Sequence, residues 1–353
     1  MLVPALVLVS LAGCDPPPCP AAEQELPRAL DAARLGRASA CELAALTTWV
    51  QNRKTTHGPW NQDIGVARSA DGLDWTAARG NDGLARPVLE TAAVPEAVEG
   101  PDGRVWLFFV DGNLDQLLVG AADPGQDFER RGLPGVGALG AAVSTDGITF
   151  DRVPAHIEGL RVGMFADPEV VPVPGGGWRM YFLAMSVGEY TTDARWTEGE
   201  RHEIHSAVST DLVNWRSEGM VLRGPFADPA VACFAGGGCT MFSFGLDTSY
   251  SADGVRFVYA GPWQGVKGFA PDARSASPTE ATVSYNDAAM GAPLRARRTI
   301  DGGHTWSELP GVSLDIYGEA VSTLRRRDGT WWMYFHTFKP GKRLSTVPDP
   351  PSP

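Results

Sequence analysis

The feature that most constrains the fold of this chain is a short turn motif that occurs five times. In each copy a Ser or Thr stands two residues before an Asp, and a Trp or Phe follows the turn. The five copies are Ser69–Trp75, Ser144–Phe150, Ser209–Trp215, Ser251–Phe257 and Thr299–Trp306. We expect each to be a β-hairpin in which Asp caps the turn, Gly takes the positive-φ position and the aromatic ring anchors the returning strand. Repetition at intervals of tens of residues predicts one block used five times, most simply as a ring of sheets.

Each hairpin belongs to a block that opens with an apolar strand near a carboxylate. The predicted openings are Pro95–Val98, Ala166–Val171, Ala227–Val231, Thr279–Val283 and Gly318–Val321. Three blocks continue through a Gly-rich turn into an aromatic strand, at Gly103–Phe109, Gly177–Phe182 and Gly329–Phe335. The pattern therefore predicts a blade of four strands for each block.

The two ends of the repeat array complement each other. Residues 62–79 supply only a hairpin, whereas residues 317–338 supply only opening strands. Joined as one blade, they remove the exposed sheet edges that a linear array would leave. We therefore predict an all-β fold, a five-bladed β-propeller over residues 58–340 in which the N-terminal hairpin closes the C-terminal blade. Two stacked β-sandwich domains are the alternative, but they do not explain the matching half blades.

Composition and charge favour a globular domain that does not bind nucleic acid. Of the 353 residues, 43% are hydrophobic and 20% are charged, so the chain can bury a large core. The formal net charge is -12, and no stripe of Lys and Arg is present that could neutralise phosphates. We expect a monomer with no nucleic-acid partner.

The N-terminus has the character of an export signal. Residues 1–13 are apolar, and Leu11-Ala12-Gly13-Cys14 resembles the lipobox of bacterial lipoproteins, in which the Cys is lipidated. This resemblance predicts a protein anchored by Cys14 to a bacterial membrane, at the periplasmic face or the cell surface. A plain secretory signal is the alternative. Residues 14–57 are then a Pro-rich tether with a short helical cap, and residues 341–353 a disordered Pro-rich tail.

The cysteines are consistent with export. Apart from Cys14, four remain, and Cys233 and Cys239 flank a Gly-rich loop that would bring them together across two strands. We predict a disulfide there and a second one between Cys19 and Cys41.

Candidate chemistry lies at the start of the predicted inner strands. In a propeller the first strand of each blade is innermost, so residues at equivalent strand starts converge on one end of the axis. The predicted ring of acids consists of Glu96, Asp167, Glu169, Asp228, Glu280 and Glu319. Carboxyl groups in a shared, partly desolvated funnel have pKa values that are pushed apart, as acid/base catalysis on a glycosidic bond requires.

These residues resemble the five-bladed propellers of glycoside hydrolase family 43 and its relatives in families 32, 62 and 68. The resemblance covers residues 60–338 and rests on Asp167-Pro168, Asp228-Pro229, the Gly-x-aromatic second strands and the hairpin Ser209–Trp215. It implies inverting hydrolysis of an arabinose, xylose or fructose side chain from a polysaccharide.

By position, the resemblance to family 43 implies that Asp167 is the general base, Asp228 the orienting residue and Glu280 the general acid. The family acid usually stands in a Glu-Gly-Pro context, whereas this chain has Thr279-Glu280-Ala281. Glu96 and Glu319 are the alternative acids. No cofactor is expected, although the resemblance leaves open an axial calcium ion near His336.

Other interpretations remain open for the same residues. Asp before Pro often caps a turn, and Phe165 and Phe226 stand two residues before the two Asp-Pro pairs, either to stack on sugar or to pack. The predicted substrate-binding residues are Glu96, Glu169, Glu319, Phe165 and Phe226.

Thr299–Trp306 also fits the Asp-box of sialidases, and Tyr317 beside Glu319 fits their catalytic pair, although sialidases need six blades. A non-catalytic propeller lipoprotein that binds carbohydrate or protein is the alternative function.

Overall fold

The computed structural model describes nine stretches of the chain. They are residues 39–53, 58–113, 139–154, 156–159, 164–185, 202–235, 238–263, 265–287 and 293–339. These residues form five β-sheets. The inner strand of each sheet packs against that of the next, and the last packs against the first, so the sheets surround one axis. The predicted all-β, five-bladed propeller is confirmed.

Four blades are built from consecutive strands. Blade I contains β4 (Ala92–Glu99), β5 (Val105–Asp111), β6 (Leu139–Ser144) and β7 (Asp151–Val153). Blade II contains β9 (Met164–Pro172), β10 (Trp178–Met185), β11 (Glu203–Ser209) and β12 (Asn214–Arg223), with β8 (His156–Glu158) parallel to β12. Blade III contains β13 (Ala230–Phe234), β14 (Gly238–Ser243), β15 (Asp247–Ser251) and β16 (Val258–Pro262). Blade IV contains β17 (Phe269–Ser275), β18 (Ala281–Asn286), β19 (Leu294–Thr299) and β20 (Ser307–Glu308).

Blade V combines strands from both ends of the propeller sequence. Its inner strands are β22 (Glu319–Arg325) and β23 (Trp331–Phe338), and its outer strands are β1 (Gln62–Ser69) and β2 (Asp74–Ala77). The short strands β3 (Leu89–Glu90) and β21 (Ser313–Leu314) pair with β1 and β2. Strand β1 runs antiparallel to β23 from the pair Gln62 and Phe338 to the pair Ser69 and Trp331. One sheet thus holds together residues that are far apart in sequence.

The repeated turn is held by equivalent hydrogen bonds of its Ser or Thr and Asp side chains in all five copies. In the first copy, the Ser69 hydroxyl contacts Asp71 Oδ1 at 2.9 Å, and the same carboxylate accepts the Leu73 N–H at 2.8 Å. These backbone hydrogen bonds lower the pKa of Asp71. In the third copy, which has no Gly, Leu212 adopts the positive-φ conformation at 66°. The turn aspartates therefore stabilise the hairpins.

The hydrophobic core lies between adjacent blades. Aromatic residues of the second strands fill these interfaces, as where the Phe108 ring meets Trp215 edge-on with centroids 5.5 Å apart. A helix, α1 (Ala40–Arg53), precedes the propeller, and its Leu46 is fully buried in the cluster shared with blades II and III. Ser39 and Glu42 cap its first turn through reciprocal hydrogen bonds. Within the described stretches, no helix combines the length and apolarity needed to cross a membrane.

The predicted disulfide between Cys233 and Cys239 is confirmed, and it joins the paired strands β13 and β14. Cys14 and Cys19 lie outside the described residues, as do the segments 1–13 and 341–353. Lipidation of Cys14, the pairing of Cys19 with Cys41 and the Pro-rich tail therefore stay predictions.

Candidate active site

The five inner strands begin with the same unusual backbone feature. Each has a residue other than Gly with positive φ at its start, and in four blades Pro follows that residue. These residues are Val94 (46°), Asp167 (52°), Asp228 (47°), Ala270 (48°) and Ala320 (44°). Positive φ is costly for residues with a side chain, and such strain concentrates at functional sites. We call each of these positive-φ residues a kink. Two sets of side chains lie at the axis: those at or beside a kink, and those two residues after it.

Two aspartates at the kink form a hydrogen-bonded pair. The Asp228 N–H donates to Asp167 Oδ2 at 3.3 Å, and the two carboxyl groups also bond to each other. Burial raises the pKa of Asp167 to about 6. Burial, followed by the adjacent Asp167 charge, raises the pKa of Asp228 well above its ordinary value. Asp228 therefore keeps its proton to higher pH than Asp167, which is the first of the pair to ionise.

Glu319 is the third carboxyl group beside a kink, and it is 1% exposed. The Tyr317 hydroxyl donates to Oε1, and His336 Nε2 lies 3.3 Å from Oε2. The Val94 N–H donates to His336 Nδ1 at 3.4 Å, which assigns the imidazole proton to Nε2, facing Glu319. Tyr317, in the loop before β22, and His336 of β23 thus fix the orientation of Glu319.

The carboxyl trio, Asp167, Asp228 and Glu319, is divided between two sides of the axis. Blades II and III, which carry the two aspartates, are neighbours, whereas blade V is separated from them by blades I and IV. The aspartate pair therefore faces Glu319 across the axis. The groups are still close enough for the Glu319 charge to contribute to the raised pKa of Asp228. A cavity of about 20 Å³ at the axis is lined by Asp167 and Asp228, a volume that holds a water molecule rather than a sugar ring.

The side chains two residues after the kinks form a second layer, which we call the buried ring. Its members are Glu96, Glu169, Ala230, Asp272 and Ser322. Each polar member accepts a backbone N–H from the next blade. The donors and distances are Val170 to Glu96 (3.0 Å), Val231 to Glu169 (3.0 Å), Thr323 to Asp272 (3.0 Å) and Ala97 to Ser322 (2.7 Å). The buried ring thus joins successive blades.

Arg274 of β17 contacts all three carboxylates of the buried ring. Its guanidinium bonds to both oxygens of Glu96, lies 2.7 Å from Asp272 Oδ1 and 3.6 Å from Glu169 Oε2. Burial opposes its charge, but the charges of Asp272, Glu96 and Glu169 hold the pKa of Arg274 above its usual range. Sequence reasoning missed both Asp272 and Arg274. The signal for Asp272 was available in Pro271-Asp272, which repeats Pro95-Glu96 and Pro168-Glu169.

The predicted position of Glu280 on an inner strand was wrong. The inner strand of blade IV is β17, and Glu280 instead immediately precedes β18, the second strand of that blade. The side chain is 30% exposed and pairs with Arg298 at 2.7 Å. Thr279–Val283 was mistaken for an inner strand because it also combines a carboxylate with apolar residues. Glu280 therefore lies away from the propeller axis, outside the region around the carboxyl trio and the buried ring that we call the hub.

Phe165 and Phe226, which were predicted to bind substrate, are not exposed as that role requires. Phe165 is 4% exposed and packs edge-on against Phe182, while Phe226 is 5% exposed and packs against Tyr259. Both rings belong to the hydrophobic core. Glu96 and Glu169 do reach the axis as expected, but backbone N–H groups and Arg274 occupy their oxygens. Their contacts are those of structural residues, and only Glu319 among the proposed substrate-binding acids joins the carboxyl trio.

An axial calcium ion does not fit this arrangement. Among the residues that the structure describes, the oxygens grouped closely enough to hold one belong to Glu96, Glu169 and Asp272, which lie within 4.8 Å of one another. The guanidinium of Arg274 already contacts all three, and a second cation there would be adjacent to its charge.

Comparison with known proteins identifies related folds. No protein-family model and no curated protein matches the chain. The family 43 glycoside hydrolase BlXynB from Bacillus licheniformis matches with a TM-score of 0.53 and 11% identity, over 71% of this chain and 50% of that one. The α-L-arabinofuranosidase from Lactobacillus brevis matches with a TM-score of 0.50 and 12% identity, over 77% and 90%. The chain has the propeller fold of these glycoside hydrolases. It spans half the length of the Bacillus protein.

Proposed function

We propose that the chain is a glycoside hydrolase that cleaves a polysaccharide side chain with inversion. The supporting observation is the carboxyl trio, in which a hydrogen-bonded aspartate pair whose pKa values are raised by burial faces Glu319 across the axis. An inverting mechanism needs two carboxyl groups on opposite faces of the sugar, one to activate water and one to protonate the leaving oxygen.

The environments of the three groups suggest their roles. Asp167 is the ionised member and acts as general base, taking a proton from water as the water oxygen bonds to the anomeric carbon. Asp228 keeps its proton and orients Asp167 through their hydrogen bond. Glu319 takes the role first given to Glu280. Because both of its oxygens accept hydrogen bonds in the resting site, it first takes up a proton from solvent and then donates that proton to the glycosidic oxygen as the C–O bond breaks. Solvent then removes the proton from Asp167 and returns one to Glu319.

The substrate we propose to test first is an α-linked arabinofuranoside, because the structurally similar protein from Lactobacillus brevis is an α-L-arabinofuranosidase. Xylosides and fructosides belong in the same panel. Asp167→Asn and Glu319→Gln should each reduce release of sugar by ~100-fold or more. Glu280→Gln is the matched control, since it alters a carboxylate outside the hub, and it should retain activity.

Two further readouts test the mechanism itself. Proton NMR of the first product should show the inverted anomer, and activity should rise with pH through about 6 as Asp167 ionises. A retained anomer, or full activity in Asp167→Asn, would refute the assignment.

A saccharide-binding propeller without catalysis is the second candidate. The observation that favours it is the near-complete burial of Asp167 and Glu319, at 4% and 1% exposure. Calorimetry with the same sugars distinguishes the two functions. Saturable binding without release of product from any substrate would support the binder and refute the hydrolase.

We also propose that the protein is exported and anchored by a lipid on Cys14. The apolar segment before Cys14 supports this, as does the Cys233–Cys239 disulfide, because such bonds persist mainly in oxidising compartments. Metabolic labelling with palmitate, followed by membrane fractionation, should place the wild type in the membrane and leave Cys14→Ser unlabelled. Label on the Cys14→Ser variant would contradict the anchor.

A further inference from the structure

The buried ring concentrates negative charge where water cannot screen it. Glu96, Glu169 and Asp272 are 1%, 3% and 3% exposed, and one oxygen of each lies within 4.8 Å of the others. Burial, together with the neighbouring Glu96 charge, raises the pKa of Glu169 well above its ordinary value. Three carboxylates at this separation require a cation or protons to be stable in a folded protein. Oxygen donors in such a cluster are also the ligands that calcium and magnesium prefer.

Arg274 supplies that cation from within the chain, and several contacts hold it in place. Its Nε donates to the Thr323 carbonyl at 2.6 Å, and one terminal nitrogen donates to Ser322 Oγ at 2.7 Å. The same terminal nitrogen lies 2.7 Å from Asp272. These contacts attach the guanidinium to blades IV and V while it reaches Glu96 of blade I and Glu169 of blade II. One side chain therefore touches four of the five blades.

The contacts of Arg274 continue to the carboxyl trio through short steps. Glu169 stands two residues after Asp167 on β9, and its other oxygen accepts the N–H of Val231, three residues after Asp228. Glu96 accepts the N–H of Val170 on the same strand β9. The position of the guanidinium thus affects the two strands that carry the aspartate pair.

We infer that Arg274 is a built-in counter-cation that occupies the place of an axial metal ion, so that the propeller is independent of divalent cations. It follows that the buried ring is a latent cation site, which becomes available when the charge of Arg274 is removed. The metal-independence stands whether or not the protein hydrolyses glycosides.

The first experiment uses the wild-type protein. Its thermal unfolding midpoint should be the same after exhaustive treatment with EDTA and in millimolar CaCl₂ or MnCl₂, and calorimetry should detect no saturable binding of either ion at the hub. A midpoint that falls in EDTA and recovers with calcium would overturn the inference.

The second experiment uses Arg274→Met, which keeps much of the side-chain volume and removes the charge. This variant should unfold at lower temperature in EDTA than the wild type, and calcium should both bind saturably and raise its unfolding temperature. Arg274→Lys retains a cation and should fold without gaining calcium affinity. Arg298→Met is the matched control, because Arg298 pairs with a single carboxylate, Glu280, away from the axis.

Each result of the second experiment supports or contradicts the inference. If Arg274→Met folds only when calcium is present, the latent site is supported. If it folds without binding calcium, or fails to fold in calcium while Arg274→Lys folds, the buried ring is not a cation site and the inference falls. Loss of the same calcium response on adding Glu169→Gln to Arg274→Met would show that the ion binds at the buried ring.

Discussion

Replacing both aspartates of the hub pair by Asn should make the protein more stable at neutral pH and leave its stability at low pH little changed. Burial raises the pKa of Asp167 from 3.8 to about 6 in the folded protein. Between these pH values the unfolded chain has lost the proton that the folded protein keeps, so the free energy of unfolding falls by about 1.4 kcal/mol per pH unit. The folded protein thus loses about 3 kcal/mol as pH rises through 6.

The double variant Asp167→Asn/Asp228→Asn removes this term, and Asn side chains can keep a hydrogen bond between the two positions. Both sites must change, because replacing Asp167 alone would remove the charge that raises the pKa of Asp228. Urea unfolding of wild type and variant at about pH 3.5, 5 and 7 measures the difference directly. We expect the variant to gain at least about 3 kcal/mol relative to the wild type between the lowest and highest pH, because Asp167 alone accounts for that amount and the raised pKa of Asp228 adds a contribution of the same sign.

Any effect of the substitutions that does not depend on pH cancels in this comparison. Asp146→Asn is the control of opposite sign, because backbone hydrogen bonds lower the pKa of the exposed Asp146 and make its ionised form stabilising. A stability difference between the double variant and the wild type that stays constant with pH would refute the ionisation state assigned to the hub.

Three further predictions concern residues outside the hub. Glu280→Ala should change stability by less than ~1 kcal/mol, because its pair with Arg298 is partly exposed; a larger loss in thermal unfolding would contradict that placement. Replacing Cys233 and Cys239 by Ser should cost ~2 kcal/mol in urea unfolding, since the disulfide closes a loop with a sequence separation of 6; unchanged stability would show that the bond does not constrain the unfolded chain. Phe165→Ala should cost ~3–5 kcal/mol while leaving saccharide affinity unchanged in calorimetry, and a selective loss of affinity would restore its stacking role.

The number of blades could be predicted from the sequence because each turn motif is local. The Ser-x-Asp geometry depends on hydrogen bonds between residues two to four positions apart, and it recurs wherever the pattern recurs. Five copies therefore gave five sheets. The disulfide between Cys233 and Cys239 could be predicted for the same reason, since both residues flank one turn.

The inner strand of blade IV was missed because hydrophobicity and charge do not distinguish first from second strands. Thr279–Val283 and Ala270–Ala273 both combine an acid with small apolar residues. The distinguishing feature is the kink before Pro, which is a backbone conformation and becomes visible only when the five strand starts are compared. Choosing the alignment with Pro before the acid would have selected Asp272 rather than Glu280.

The role of Arg274 could not be predicted because it depends on contacts across four blades. Its partners Glu96 and Glu169 are far away in sequence, and no local pattern marks an Arg on an inner strand as a counter-cation. The burial of Phe165 could not be predicted either, because an aromatic residue beside a predicted site can equally stack on a sugar or pack in the hydrophobic core.

The pairing of β1 with β23 has a consequence for how the protein is made. A chain that emerges from a ribosome or a translocation channel with its N-terminus first presents β1 long before its partner at residues 331–338 exists. Ring closure is therefore a late event that awaits the last strand, and contacts at such separation are slow to form. Until then blade V is incomplete and the sides of blades I and IV that face it lack a neighbour, so premature termination ahead of Phe338 would leave the ring open and prone to self-association.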